Sequence, residues 1–237
     1  MSGSGATRGY YTSQKSKLLK DFDKSNRKSG RKVLESRYGK ELANIILNQS
    51  HCEFEALIPM IPDVGGRKNL WERNLIGCAW ALAMYRALKQ HGKTAEEVGK
   101  LNYELVEASF ASAPRWVLWF IGRIQTSRYG RNKTKKQALK SQQRLYYDDW
   151  VFSFLEGNGK DFDYGTDITE CAICKFLHAQ GADELAMYMC RIDFILSRVF
   201  DWGLVRTTTL AEGAKVCDFR YKHGRATKYI WPEPTHP

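Results

Sequence analysis

The chain has 237 residues, 43% of them hydrophobic, with seven Trp, twelve Tyr and eleven Phe, a composition that excludes disorder and allows a real core. No apolar run approaches the ~20 residues that cross a bilayer, and six Cys are too sparse for a disulfide scaffold. The net charge of +11 leaves nucleic acid, anionic membrane and anionic small molecules open as partners.

The opening stretch "MSGSGATRGYY" lacks the apolar core of a secretory leader, so a cytoplasmic protein with reduced thiols is expected. Residues 1–15 read as a flexible tail. From Ser16 to about Gln49 the pattern is helical, with Gly30 and Gly39 as dividers. "IPMIPDVGGRKN" (58–69) is a loop punctuated by prolines and paired glycines. Leu70 to His91 predicts a long amphipathic helix, with Leu75, Cys78, Ala79, Leu82, Met84 and Tyr85 near a 3.6 period and Gly92 as C-cap. Thr94 and Glu97 are spaced as a capping box for the next helix.

"APRWVLWFIGRI" (113–124) is the most apolar window. It is too short to span, and burial or the wall of an apolar pocket is favoured over a membrane-surface helix. Basic residues crowd 15–32 and 123–144, the second stretch without a single acid. A solvated face is the plain reading; a phospholipid contact is the alternative, and an RNA contact rests on charge alone and ranks last. Residues 137–156 read as a further helix.

The character then changes. "DFDYGTDIT" (161–169) reads as a strand, "CAICKFLHAQG" as a short helix stopping at Gly181, and 182–200 as a longer helix. "GLVRTTTLA" and "VCDFRYK" read as a β-hairpin joined by "EGAK", and "WPEPTHP" falls in a Pro-rich tail, 226–237. The expected class is α+β: N-terminal helices followed by a small antiparallel sheet with helices packed on it around a pocket. A helical region (16–156) and an α+β region carrying the site (157–225) are expected to pack as one domain.

Four Cys fall in the last third: Cys171, Cys174, Cys190 and Cys217. They read as small buried hydrophobes, as metal ligands or as reactive thiols. Cys190 and Asp193 share a helix face, where Asp193 either bonds a neighbouring backbone or Arg, or serves as acid, base or ligand. Asp167 and Glu170 flank the strand end, placed to cap the following helix or to reach a site. On the hairpin, alternation puts Cys217 with Phe219 and Asp218 with Arg220, and Arg206 with Thr208. An inward Arg would make a fork for a carboxylate; periodicity leaves open which face is buried. Phosphate-loop, dinucleotide, nucleophile-elbow and zinc-protease signatures are absent from the sequence.

The ordered run "DITEC", then "EL" followed by "CRID", then "RTTTLAEGAKVCDFR" resembles the L-2-amino-thiazoline-4-carboxylic acid hydrolase family over about 147–222, and more loosely upstream through "GGRKN", "YRALKQHG" and "PRWVLWFIGR". The hairpin ending in "CDFR" is also similar to the closing strands of small-molecule-binding domains related to vinyl reductases and vesicle-tethering subunits. The first resemblance implies a hydrolase opening a cyclic amidine to a carbamoyl-cysteine. On that reading Cys190, Asp193, Glu170 and Cys171 are the catalytic candidates, Arg206 or Arg220 would bind a substrate carboxylate, and Asp167 is a further substrate-binding candidate. Cys171, Cys190 and Cys217 would converge, either around a divalent metal such as zinc or to supply a thiol nucleophile. A non-catalytic module binding a small molecule or a lipid surface is the alternative, and homo-oligomerisation and peripheral membrane contact stay open.

Overall fold

The computed structural model describes residues 9–227; the first eight residues of the expected tail and nearly all of the Pro-rich tail lie outside the described residues. The predicted N-terminal tail is too long. Gly9–Thr12 forms a helical turn, α1, because Tyr10 and Tyr11 meet edge to face at 4.9 Å and Tyr11 is 2% exposed.

Helices α2 (Lys15–Ser25) and α3 (Arg31–Tyr38) run in series through one π-helical turn at 26–30. Gly39 then breaks the chain at φ 79°, a left-handed conformation that a side chain would strain, before α4 (Lys40–Leu57). Two 3-10 turns occupy the expected loop and lead into α5 (Glu72–Lys89). Leu75, Cys78, Ala79, Leu82, Ala83 and Leu88 of α5 are all 0% exposed, so α5 is the central helix of the fold. α6 (Ala95–Phe110) carries the predicted capping box: Thr94 Oγ1 accepts from the Glu97 N–H while Glu97 accepts from the Thr94 N–H. Such a cap contributes about 1 kcal/mol.

α7 (Arg115–Thr126) departs from expectation, since Trp116, Trp119, Phe120 and Ile124 are exposed rather than buried. α8 (Arg128–Ser141) then ends, and the predicted helix over 137–156 does not continue. Arg144 sits at φ 50°, turning the chain into strand β1 (Val151–Glu156). β1 pairs antiparallel with β2 (Tyr164–Glu170), and β2 with β3 (Cys217–Tyr221). The true hairpin is therefore β1–β2. The predicted partner of β3, residues 204–209, makes only one bridge, Val205 to Arg220.

Two helices from the last third complete the fold: α9 (Ala172–Ala179), followed by Gly181 at φ 63°, and α10 (Ala186–Phe200). A single cluster of buried side chains runs from Leu18 and Phe22 through α5 to Phe176 and Phe219. Among the described residues no helix is long and apolar enough to cross a membrane.

Candidate active site

The inner face of the sheet joins the helices in one buried cluster without filling all the space against them. Between them lies a cavity of about 700 Å³. Its floor is the β2 and β3 side chains Thr166, Ile168, Cys217 and Phe219; α5, α6 and α10 form walls, and α7 and α8 part of the rim.

Cys171 lines this cavity at the junction where β2 feeds α9. It occupies the N-cap of α9 with extended backbone, at the positive end of the helix dipole, and its side chain makes no capping hydrogen bond. Hydrogen bonding from the Cys174 thiol lowers the Cys171 pKa below the ordinary thiol value, against burial, which raises it. The backbone N–H groups of Cys174 and Ile173 and the Trp150 indole N–H add to the lowering. Trp150 is held for this contact by an edge-to-face stack on Trp71 at 5.6 Å. Cys174 pays the reciprocal effect: hydrogen bonding to Cys171 and to Cys190, with burial, raises its pKa far above the ordinary value. The two thiols titrate as a coupled pair, with Cys171 pushed down and Cys174 pushed up.

Asp193 and Cys190, one turn apart on α10, also line the cavity. Burial raises the Asp193 pKa, opposed by Arg206, whose Nη1 donates to Asp193 at 2.7 Å and to the Cys190 carbonyl at 2.9 Å. Arg206 is 4% exposed, with its guanidinium 4.9 Å from the Phe194 ring centre and 5.0 Å from that of Phe219. Asp193, Cys190 and Cys217 keep it raised against a burial cost that lowers it. The expected carboxylate fork is thus already engaged, as the anchor of the 206–209 segment on α10.

Three further candidates lie away from the cavity. Register pairs Thr166 with Phe219 and Ile168 with Cys217 on the inner face, so Asp167 and Arg220 project from the other side. There they form an ion pair at 2.7 Å and bind nothing in the cavity. Glu170 is held at the strand end by Lys175 at 2.5 Å and by Arg144, which with burial opposing them keep its pKa low. Thr207 and Thr208 were expected on opposite faces, yet both turn to Asp218, which accepts four hydrogen bonds from their N–H and hydroxyl groups.

The metal reading finds no support in the donor set. Among the described residues no group of three or more His, Cys, Asp and Glu side chains is arranged to hold an ion. Cys217 accepts the Leu210 N–H at 3.1 Å, and burial pushes its thiol up to about 12.

Sequence reasoning named Cys174 without giving it a role, and missed Trp150 and Arg73. The C-x-x-C spacing signals the first, because residues three apart meet on a helix. Nothing local signals Trp150. Arg73 and Lys133 are the other basic residues on the cavity wall beside Arg206, and Arg73 makes no ion pair with a described residue.

Fold and site together define an α+β protein with a cavity lined in part by Cys171, Cys190 and Cys217. The family model for L-2-amino-thiazoline-4-carboxylic acid hydrolase matches residues 69–221, and the chain belongs to that family. No curated protein and no solved structure matches it.

Proposed function

We propose that the protein is a thiol-dependent hydrolase that opens a cyclic amidine of the 2-amino-thiazoline-4-carboxylate type, with Cys171 as nucleophile. The observation that carries this reading is the cavity-facing Cys171 sulfur at the α9 N-terminus, its thiolate favoured by Cys174, two backbone N–H groups and Trp150.

In this scheme the Cys171 thiolate adds to the amidinium carbon C2. The C2–S ring bond breaks, and the departing sulfur takes a proton from solvent. The substrate is then an isothiouronium on Cys171. Asp193, a carboxylate paired with Arg206, takes a proton from water as the oxygen adds to C2 and then returns it to solvent. The C2–Sγ bond breaks, Cys171 leaves as thiolate, and the carbamoyl group sheds the amidinium proton to solvent. The net change is addition of one water. Arg206 positions Asp193 through its 2.7 Å contact, and Arg73, unpaired on the wall, is the group for the substrate carboxylate.

Turnover of 2-amino-thiazoline-4-carboxylate to carbamoyl-cysteine, followed in wild type and Cys171→Ser, tests this. The variant should fold normally and lose at least about 10³-fold in kcat, since removing a nucleophile removes the whole covalent route. Undiminished turnover in the variant would refute the role of Cys171.

One observation favours a second reading, a binding module without turnover. A cavity of about 700 Å³ matches drug-sized ligands rather than a small ring acid. On that reading wild type shows no turnover, and ligand affinity is unchanged by Cys171→Ser.

A further inference from the structure

Helix α7 is turned inside out relative to an ordinary surface helix. Its buried stripe is narrow: Leu118, Gly122 and Thr126, spaced four apart. A Cβ added at Gly122 would stand 1.7 Å from the Phe200 carbonyl oxygen, so α7 lies directly on the end of α10. The opposite arc faces solvent and is apolar, with Trp116 72%, Phe120 54% and Ile124 44% exposed. A helix on a monomer's surface carries polar residues there.

Charge accompanies this arc. From Ala108 to Tyr147 the sequence holds nine Lys and Arg and no Asp or Glu, so this segment carries +9 of the chain's +11. Arg115, Arg123, Arg128 and Lys136 of α7 and α8 are exposed. Exposed Trp and Phe on one arc, flanked by Lys and Arg, suit the headgroup boundary of an anionic bilayer. A second copy of the chain fits less well, because it would bring two +9 segments together.

We propose that α7, flanked by the basic α8, docks on an anionic lipid bilayer. Ile124, Tyr129 and Lys133 of these same helices also line the cavity, so the docked face adjoins its opening. A substrate carrying an apolar group could pass from lipid to the site along that edge, which accords with the size of the cavity. The proposal is independent of whether Cys171 turns substrate over.

The test is co-sedimentation of the full chain with phosphatidylcholine vesicles and with phosphatidylcholine–phosphatidylserine vesicles, at ~0.1 M and ~1 M NaCl, over which the screening length falls from about 10 Å to about 3 Å. Wild type should bind the anionic vesicles at least about tenfold better than the neutral ones and lose that preference in high salt. Trp116→Ser with Phe120→Ser should weaken binding at least about tenfold. Arg123→Glu with Lys136→Glu should do the same at low salt. Absence of anionic-vesicle binding by wild type, or equal binding to both vesicles, would overturn the proposal whether or not the variants fold. So would a wild-type dimer that becomes monomeric in the Trp116/Phe120 variant by light scattering, or RNA binding without vesicle binding.

Discussion

Arg206 and Arg220 come from the same motif-like run and each closes an ion pair of 2.7 Å, the first with Asp193 and the second with Asp167. Their side chains are 3% and 25% exposed. Arg206 sits on the inner side of the sheet, between two phenyl rings at the cavity wall. Arg220 lies across the outer face, beside the Phe162 ring. Contact distance therefore does not distinguish them; desolvation does. The acids are alike, Asp193 at 29% and Asp167 at 30% exposed, so the difference lies in the arginines: Arg206 is cut off from water and Arg220 is hydrated.

The comparison makes ordered predictions. Arg206→Met should cost about 2 kcal/mol of unfolding free energy in urea, because it removes the bonds to Asp193 and to the Cys190 carbonyl and the guanidinium packed between Phe194 and Phe219. It should also lower kcat, through a misplaced Asp193, without a matching rise in KM. Arg220→Met should cost about 1 kcal/mol or less and leave kcat and KM unchanged. Equal losses from the two substitutions would break the comparison, and a large rise in KM for Arg220→Met would return that residue to the substrate.

The smallest effect is expected at Glu170, whose side chain is 27% exposed. Its folded pKa lies below the ordinary 4.5, held there by Lys175 and Arg144. The unfolded chain therefore binds more protons between the two values, and the stabilisation is present above pH 4.5 and lost as pH falls through the folded value. Wild type should exceed Glu170→Gln by about 0.5 kcal/mol near neutrality, with the gap closing in acid. A gap that widened in acid would contradict the assignment.

Much of the fold is legible in the sequence. The α6 capping box, the break at Gly39, β2, and α9 ending before Gly181 all have local chemical causes that composition and spacing reveal. β1 was not legible because the turn before it depends on Arg144 at φ 50°, where no Gly or Pro marks the break. With no such mark, "YYDDWVFSFLE" continues an apolar helical pattern. The exposed arc of α7 was misread for a related reason: apolarity predicts burial only when something covers it.

The site was legible as a set of residue types and not as a set of roles. Cys171, Cys190, Asp193, Arg206 and Cys217 do line one cavity. What separates Cys171 from the other thiols is first the Cys174 thiol, then the helix terminus, and last Trp150, a contact across 21 positions that spacing cannot reveal. The run "RTTTLAEGAKVCDFR" is mostly wiring. Asp218 ties down Thr207 and Thr208, Thr209 caps the 3-10 turn 210–212, Gly213 turns at φ 84°, and Cys217 receives the Leu210 N–H. The segment is equipped to hold itself against the cavity floor.

The most direct measurement is iodoacetamide alkylation of the native protein between about pH 5 and pH 9, with each cysteine followed by mass spectrometry. Cys52 is exposed and serves as an internal reference. The account predicts that Cys171 alkylates with a midpoint clearly below that of Cys52, is the faster of the two at acidic pH, and loses most of this advantage in Cys174→Ala. A Cys171 that titrates with Cys52, or that stays unreactive while Cys190 is modified, would contradict it.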